Sequence, residues 1–308
     1  MDFFIQATIF LVSTFVLVKS ADYFIEAVEK LGHCWKMPHF ITGVLLVAIG
    51  TSLPEFSTSI ASVLKDETDM LAGNVLGTVI ANVFLGLGLM SVLTNTNIKF
   101  ERNIFAVHFP IFIFSVTLAI LTMFDGKVTW EEGIFFLGTC AAYLWFLFAK
   151  KEKDDMPDVK FSWKLLIIPV LGLVGLAISS EFVIRSIIVI SELLGFEKTV
   201  LAATLVAVGT SLPEMLVVWV MIKKRNFDMI VGNILGSNIF DILLIFGIGS
   251  LISPLQISTL SLQIIAPFMV ATLLIYWGVS KDKEITKQEG LAMTFLYIFF
   301  IGKLYGIL

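Results

Sequence analysis

Apolar residues dominate the chain in windows long enough to cross a bilayer, and polar residues are largely confined to the segments between them. The windows fall at about 3–31, 38–64, 71–94, 103–124, 130–149, 163–192, 197–223, 228–253, 257–279 and 287–307. A helix needs roughly 20 residues to traverse about 30 Å of hydrocarbon, so the pattern predicts ten transmembrane helices. The one hydrophilic stretch of any length, Lys150 to Lys160, lies between the fifth and the sixth. It divides the chain into a first five-helix unit, 1–149, a hinge loop, 150–162, and a second five-helix unit, 163–308. Because five is odd, the second unit must enter the membrane from the opposite face. The predicted fold is an all-α polytopic membrane protein with ten transmembrane helices arranged as two inverted five-helix repeats.

The two halves share written motifs. Gly50-Thr51-Ser52-Leu53-Pro54-Glu55 recurs without change as Gly209-Thr210-Ser211-Leu212-Pro213-Glu214, at an offset of 159 residues. Gly73-Asn74-Val75-Leu76-Gly77-Thr78-Val79-Ile80-Ala81-Asn82 recurs, at the same offset, as Gly232-Asn233-Ile234-Leu235-Gly236-Ser237-Asn238-Ile239-Phe240-Asp241. Two motifs held at one spacing mark an internal duplication. The longest windows, the first and the sixth, also correspond: Ser20 with Ser179 and Asp22 with Glu181. Lys19 with Asp22, and Glu181 with Arg185, have the spacing of interfacial pairs on one helix.

Composition agrees with a membrane protein and narrows the rest. Hydrophobic residues make up 57% of the chain, charged residues 15%, and the mean hydropathy is +0.95, outside the range of soluble domains. A net charge of −4 gives no reason to expect a nucleic-acid partner. Cys34 and Cys140 lack metal-ligand spacing and read as packing residues. The start Met1-Asp2 carries no cationic stretch, so residues 3–19 read as a retained first helix rather than a cleaved signal. The loops after helices 1, 3, 5, 7 and 9 hold fifteen Lys and Arg, against four, Lys65, Lys127, Lys198 and Lys303, on the other side. The positive-inside rule then puts both termini outside the cell membrane and the 150–162 hinge in the cytoplasm.

The motifs also carry chemistry. A proline inside a helix lacks an N–H and displaces the carbonyl four residues back, so Pro54 is expected to free the carbonyl of Gly50, and Pro213 that of Gly209. Thr51 and Ser52 precede Glu55 by four and three residues, which puts their oxygens on its face, as Thr210 and Ser211 are to Glu214. Asn74, Thr78 and Asn82, like Asn233, Ser237 and Asp241, form oxygen stripes with four-residue spacing. Gly73 with Gly77, and Gly232 with Gly236, let a neighbouring backbone come close. Small residues of this kind commonly serve packing alone, but an ionisable group at the bilayer centre costs about 2.5–3.5 kcal/mol or more. Two glutamates at duplicated positions therefore point to an ion site built of oxygen, without sulfur or imidazole, of the kind that suits Ca²⁺ better than zinc or copper.

These residues resemble the paired repeats of the cation/calcium antiporter superfamily, and specifically its sodium/calcium exchanger branch; the resemblance spans essentially the whole chain. It implies that Glu55 and Glu214 are central Ca²⁺ ligands, that Thr51, Ser52, Thr210, Ser211, Thr78 and Ser237 complete Ca²⁺ and Na⁺ sites, and that Asn82 and Asp241 occupy symmetry-related polar positions beside them. It further implies that helices 1 and 6 move against an eight-helix core. Thr78 departs from the serine usual at its position, and an aspartate at 241 also resembles potassium-dependent relatives, so the resemblance leaves K⁺ or H⁺ coupling open beside Na⁺. Asn82, the neutral counterpart of Asp241, leads to the expectation that Asp241 acts as a protonated hydrogen-bond partner rather than a full-charge ligand. The reading is antiport of Ca²⁺ against Na⁺, with no enzyme activity and no cofactor. Its expected partners are the two ions and the lipid bilayer, and a monomer is compatible with it. A cation channel, the alternative of another class, would need a continuous pore.

Overall fold

The computed structural model describes residues 2–94, 98–99, 102–149, 159–193, 212–259, 261–282, 284–304 and 306. In chain order the helices are α1 (Asp2–Cys34), α2 (His39–Thr51), α3 (Leu53–Val63), α4 (Thr68–Leu93), α5 (Arg102–Thr122), α6 (Trp130–Ala149), α7 (Lys164–Leu193), α8 (Leu212–Lys223), α9 (Phe227–Ile252), α10 (261–282) and α11 (Lys287–Leu304). Two-residue strands β1 (Ile98–Lys99), β2 (Lys127–Val128), β3 (Leu255–Gln256) and β4 (Glu284–Ile285) lie between them. Most of the hinge, residues 150–158, falls outside the described residues, as do 194–211, where the seventh window begins.

Among the described residues, six helices are long and apolar enough to cross a membrane alone, and α2 with α3 makes a seventh, bent by 44°. The expected ten is not reached on this criterion. Only His108–Thr122 of α5 counts as an apolar helix, α8 is described from Leu212 onward, and α11 carries Lys287, Glu289 and Lys303 within its 18 residues.

The bend corrects the expectation for Pro54. Pro54, unlike Pro110 in α5 and Pro169 in α7, does not lie in a helix interior; α2 stops at Thr51, Ser52 forms a turn, and Pro54 sits in the first turn of α3. A proline is well tolerated there, because the first N–H groups of a helix have no intrahelical acceptor anyway.

The two halves interlock. α4 and α9 form the centre, with 78% and 94% of their spanning windows buried inside the protein, against 11% for α1. β1 pairs antiparallel with β4, matching Ile98 to Ile285, and β2 pairs with β3, matching Val128 to Leu255. Each short sheet therefore joins a strand of one half to a strand of the other. The α3–α4 and α8–α9 turns share one geometry. Glu67 N–H donates to the Ser62 carbonyl at 2.9 Å, and Asn226 N–H donates to that of Met221 at 3.0 Å. Asp66 and Arg225, 159 residues apart, take left-handed φ values of 63° and 55° in these turns.

The small-residue spacing is used on α9, where Gly232 lies against the Phe40 backbone and Gly236 against Val44 of α2, but not on α4, where a Cβ on Gly73 or Gly77 would meet no described atom within 4 Å. A Cβ on Gly236 would come within 2.8 Å of the Val44 Cα and 3.0 Å of its carbonyl oxygen. Neither atom can swing aside as a flexible side chain would. We therefore expect Gly236→Val to destabilise the protein by about 2 kcal/mol, a typical overpacking cost. Gly138→Ala, which meets no described atom within 4 Å, should melt like the parent. Thermal unfolding in detergent measures both, and an unchanged melting temperature for Gly236→Val would refute the close approach.

Candidate ion-binding site

The break between α2 and α3 puts Glu55 in the first turn of a helix that starts inside the protein, and Glu214 occupies the first turn of α8. Asp241 lies on α9, where the helix widens into a π segment, Asp241–Ile245. Glu55 and Glu214 are 2% exposed and Asp241 1%. Pro54 and Pro213, each the residue before its glutamate, line one cavity, and Ser52 and Asp241 line another, which brings the three segments together. Both carboxylate oxygens of Glu55, both of Asp241 and Oε2 of Glu214 have no hydrogen-bond partner among the described residues. Unsatisfied charge of this kind in a membrane core is expensive, and a bound cation is the natural compensation.

The remaining predicted oxygens are distributed as follows. Thr51 and Ser52 are buried beside the helix break, with the Thr51 hydroxyl donating to the Ala48 carbonyl at 3.3 Å. Ser52 and Asp241 line one cavity of about 110 Å³, walled by apolar side chains that include Phe56 and Phe240. Thr78 and Ser237 are buried on α4 and α9. Asn82 Nδ2 lies 3.3 Å from Ser237 Oγ and 3.3 Å from Asn238 Oδ1, so Asn82 spends its donor on α9. Thr210 and Ser211 lie outside the described residues.

Three features go beyond the sequence reading. Asn238 joins the cluster through Asn82, and its own Nδ2 is buried without a partner among the described residues. Its spacing three residues before Asp241 was the available signal. Ser59 Oγ accepts from Asn74 Nδ2 at 3.0 Å, whereas Asn233, the counterpart of Asn74, keeps a buried, unpartnered Oδ1. Finally, π segments begin at both Asn82 (Asn82–Leu87) and Asp241, and a third, Gly43–Ala48, leads into the first motif. Such widened turns loosen the regular backbone ladder and often mark functional sites. No composition signal announces them.

No group of three or more His, Cys, Asp or Glu among the described residues is arranged to hold a metal ion by itself. A cation here would draw on the carboxylates together with amide, hydroxyl and backbone oxygens, a hard and flexible shell.

A buried oxygen cluster at the centre of a polytopic helix bundle defines a membrane transporter of cations. The sodium/calcium exchanger protein family matches residues 5–149 and 164–306. The chain is 30% identical to the sodium/calcium exchanger MaX1 of Methanosarcina acetivorans, over 97% of this chain and 98% of that protein. It is 31% identical to the uncharacterized membrane protein MJ0091 of Methanocaldococcus jannaschii, over 96% of each. The solved structure of the sodium-calcium exchanger NCX_Mj soaked with 2.5 mM Na⁺ and 0.1 mM Ca²⁺ superposes with a TM-score of 0.80 at 27% identity, covering 97% of this chain and 98% of that one. The chain belongs to the sodium/calcium exchanger protein family, whose members are membrane antiporters and not enzymes.

If the orphaned carboxylates form the site, ligand binding should be visible as stability. A Ca²⁺ concentration about a hundred times the dissociation constant would stabilise the folded protein by about 2.7 kcal/mol. Glu214→Gln should lose most of that Ca²⁺-dependent rise in melting temperature while melting no lower than the parent without ions. Retention of the full Ca²⁺-dependent rise would exclude Glu214 as a ligand.

Proposed function

We propose that this protein exchanges Ca²⁺ for Na⁺ across the cell membrane by alternating access at the Glu55–Glu214 cluster. The observation that carries this reading is the set of buried carboxylate oxygens without partners among the described residues, on two glutamates at duplicated positions and on Asp241. Two glutamates can be compensated by one Ca²⁺ or by Na⁺ ions, and a protein that changes face only when compensated couples the two fluxes. Thr51, Ser52, Thr210, Ser211, Thr78 and Ser237 supply further oxygens in this proposal, with Asn82 and Asp241 beside them. Asp241 serves as a protonated hydrogen-bond partner.

The proposed architecture is ten transmembrane helices in two inverted repeats, 1–149 and 163–308, joined by the 150–162 hinge. The matching turns at Asp66 and Arg225, the π segments at Asn82 and Asp241 and the reciprocal strand pairs support it. The moving part is the pair α1 and α7. Their close packing, with Gly172 against Phe24 and Gly175 against Ser20, supports motion as a unit.

Uptake of ⁴⁵Ca²⁺ into proteoliposomes under imposed Na⁺, K⁺ or H⁺ gradients tests the reaction. Uptake driven by an outward Na⁺ gradient alone is expected, and uptake driven only by K⁺ or H⁺ would replace Na⁺ as the coupling ion. Glu55→Gln and Glu214→Gln should abolish the flux, and either variant running at the parent rate would displace the site. Asp241→Asn should keep substantial exchange; a dead variant at every pH, with and without K⁺, would make Asp241 a charged ligand instead.

The cation bias of the loops supports both termini facing outward. A single cysteine in the hinge should react with impermeant reagents from the cytoplasmic side, and one near either terminus from outside. Outside labelling of the hinge would invert the orientation.

A further inference from the structure

The face at which α1 ends carries a contact that has no counterpart among the described residues of the opposite face. Glu29 of α1 accepts from two residues of the α8–α9 turn: Lys224 Nζ stands 2.8 Å from its Oε2, and Asn226 Nδ2 stands 3.0 Å from its Oε1. Both oxygens of one carboxylate are thereby used. Asn226 is itself fixed, since its Oδ1 accepts the Met229 N–H at 3.4 Å and its Nδ2 lies 3.0 Å from His39 Nδ1 at the start of α2. The His39 ring meets that of His33 on α1 edge-on at 5.3 Å. One carboxylate therefore ties α1 to two elements of the core. The pairs Lys19–Asp22, Lys30–Glu26 and Arg185–Glu181, by contrast, each stay within a single helix.

The 159-residue offset shows what the opposite face has instead. The counterpart of Glu29 is Ile188 on α7, and the counterparts of Lys224 and Asn226 are Lys65 and Glu67. An isoleucine cannot accept from either, and both Lys65 and Glu67 are exposed. The helix faces below the two glutamates differ in the same sense. Four and seven residues after Glu55 come Ser59 and Ser62, buried hydroxyls; four and seven after Glu214 come Val218 and Met221, buried and apolar. The side below Glu55 carries buried hydroxyls, and the side below Glu214 is apolar.

We propose that the Glu29–Lys224–Asn226 contact is a latch that holds α1 against the α8–α9 turn and keeps that face closed over Val218 and Met221. The resting protein consequently presents its carboxylates to the opposite face. This rests on the alternating-access reading above. With side-chain exposures of 21% for Glu29 and 31% for Lys224, the pair is only partly shielded from solvent, so it is stronger than a fully exposed pair and still weakened by added salt. Two donors, one of them charged, on a single carboxylate bias a two-state equilibrium by about five- to tenfold.

The test uses the full chain in nanodiscs with Cys34 and Cys140 changed to alanine and a Met221→Cys reporter beneath the latch. The rate of reaction with an impermeant thiol reagent should be slow in this background and rise about fivefold with Glu29→Gln or Lys224→Met. Exchanging the charges, Glu29→Lys with Lys224→Glu, should return the rate to within about twofold of the background. Should a single variant fail to fold, choline chloride added to the reporter background reads the same pair, because salt that screens it should speed labelling. Equal rates with and without the single substitutions, a charge-exchanged variant as fast as they are, or labelling indifferent to salt would overturn the latch. The readout needs no ion flux, so a protein that labels as proposed yet carries no ⁴⁵Ca²⁺ would remove the antiport reading alone.

Discussion

The carboxylates of Glu55, Glu214 and Asp241 sit in the interior of a membrane protein, with oxygens that no described side chain satisfies, and the rest of the architecture follows from that constraint. Like charges held together in a medium that solvates them poorly repel one another and resist burial. The fold meets this by assembling further oxygens around them. The centre consists of α4 and α9, whose polar stripes face inward, and the helix break at Ser52 lets Glu55 begin a helix at membrane depth. Backbone irregularity of this kind is tolerated in a bilayer where protein surrounds it. The π segments at Asn82 and Asp241 belong to the same solution.

The duplication is strict at the motif and relaxed around it. Both glutamates keep their six-residue setting, yet Asn82 faces Asp241 across the repeat, Ser59 faces Val218, and Glu29 faces Ile188. An Asn82 committed to Ser237 and Asn238 is a structural bridge between the halves, whereas the matching Asp241 forms no such bridge among the described residues and lines a cavity with Ser52. Identical halves would give an ion the same surroundings from either side. Here the two approaches to one cluster differ in polarity and in how firmly they are tied.

α1 and α7 complete the picture from the outside. They are long, apolar on the surface and packed on each other through glycines of α7, with only 11% of the spanning window of α1 buried. A contact such as Lys224 with Glu29 therefore carries more weight for the position of α1 than the same pair would on a helix held by extensive packing.

Much of this was legible in the sequence, because a bilayer imposes rules that operate over short stretches of chain. Apart from the seventh, which begins outside the described residues, the apolar windows fall within a few residues of described helices, and the repeated motif singled out Glu55 and Glu214, both of which are buried. Those signals are local: hydrocarbon thickness sets window length, and the cost of an intramembrane carboxylate makes its presence informative. What the sequence left open depends on contacts between distant segments. Pro54 looked like an interruption within a helix and proved to be the start of a new one, a choice made by how α2 and α3 dock. The partnership of Asn82 with Asn238, the cross-half strand pairs and the tie between Glu29 and Lys224 join residues more than 120 positions apart. No spacing rule reaches that far. Periodicity fixes which residues share a helix face, and only the packed tertiary structure decides which face meets which.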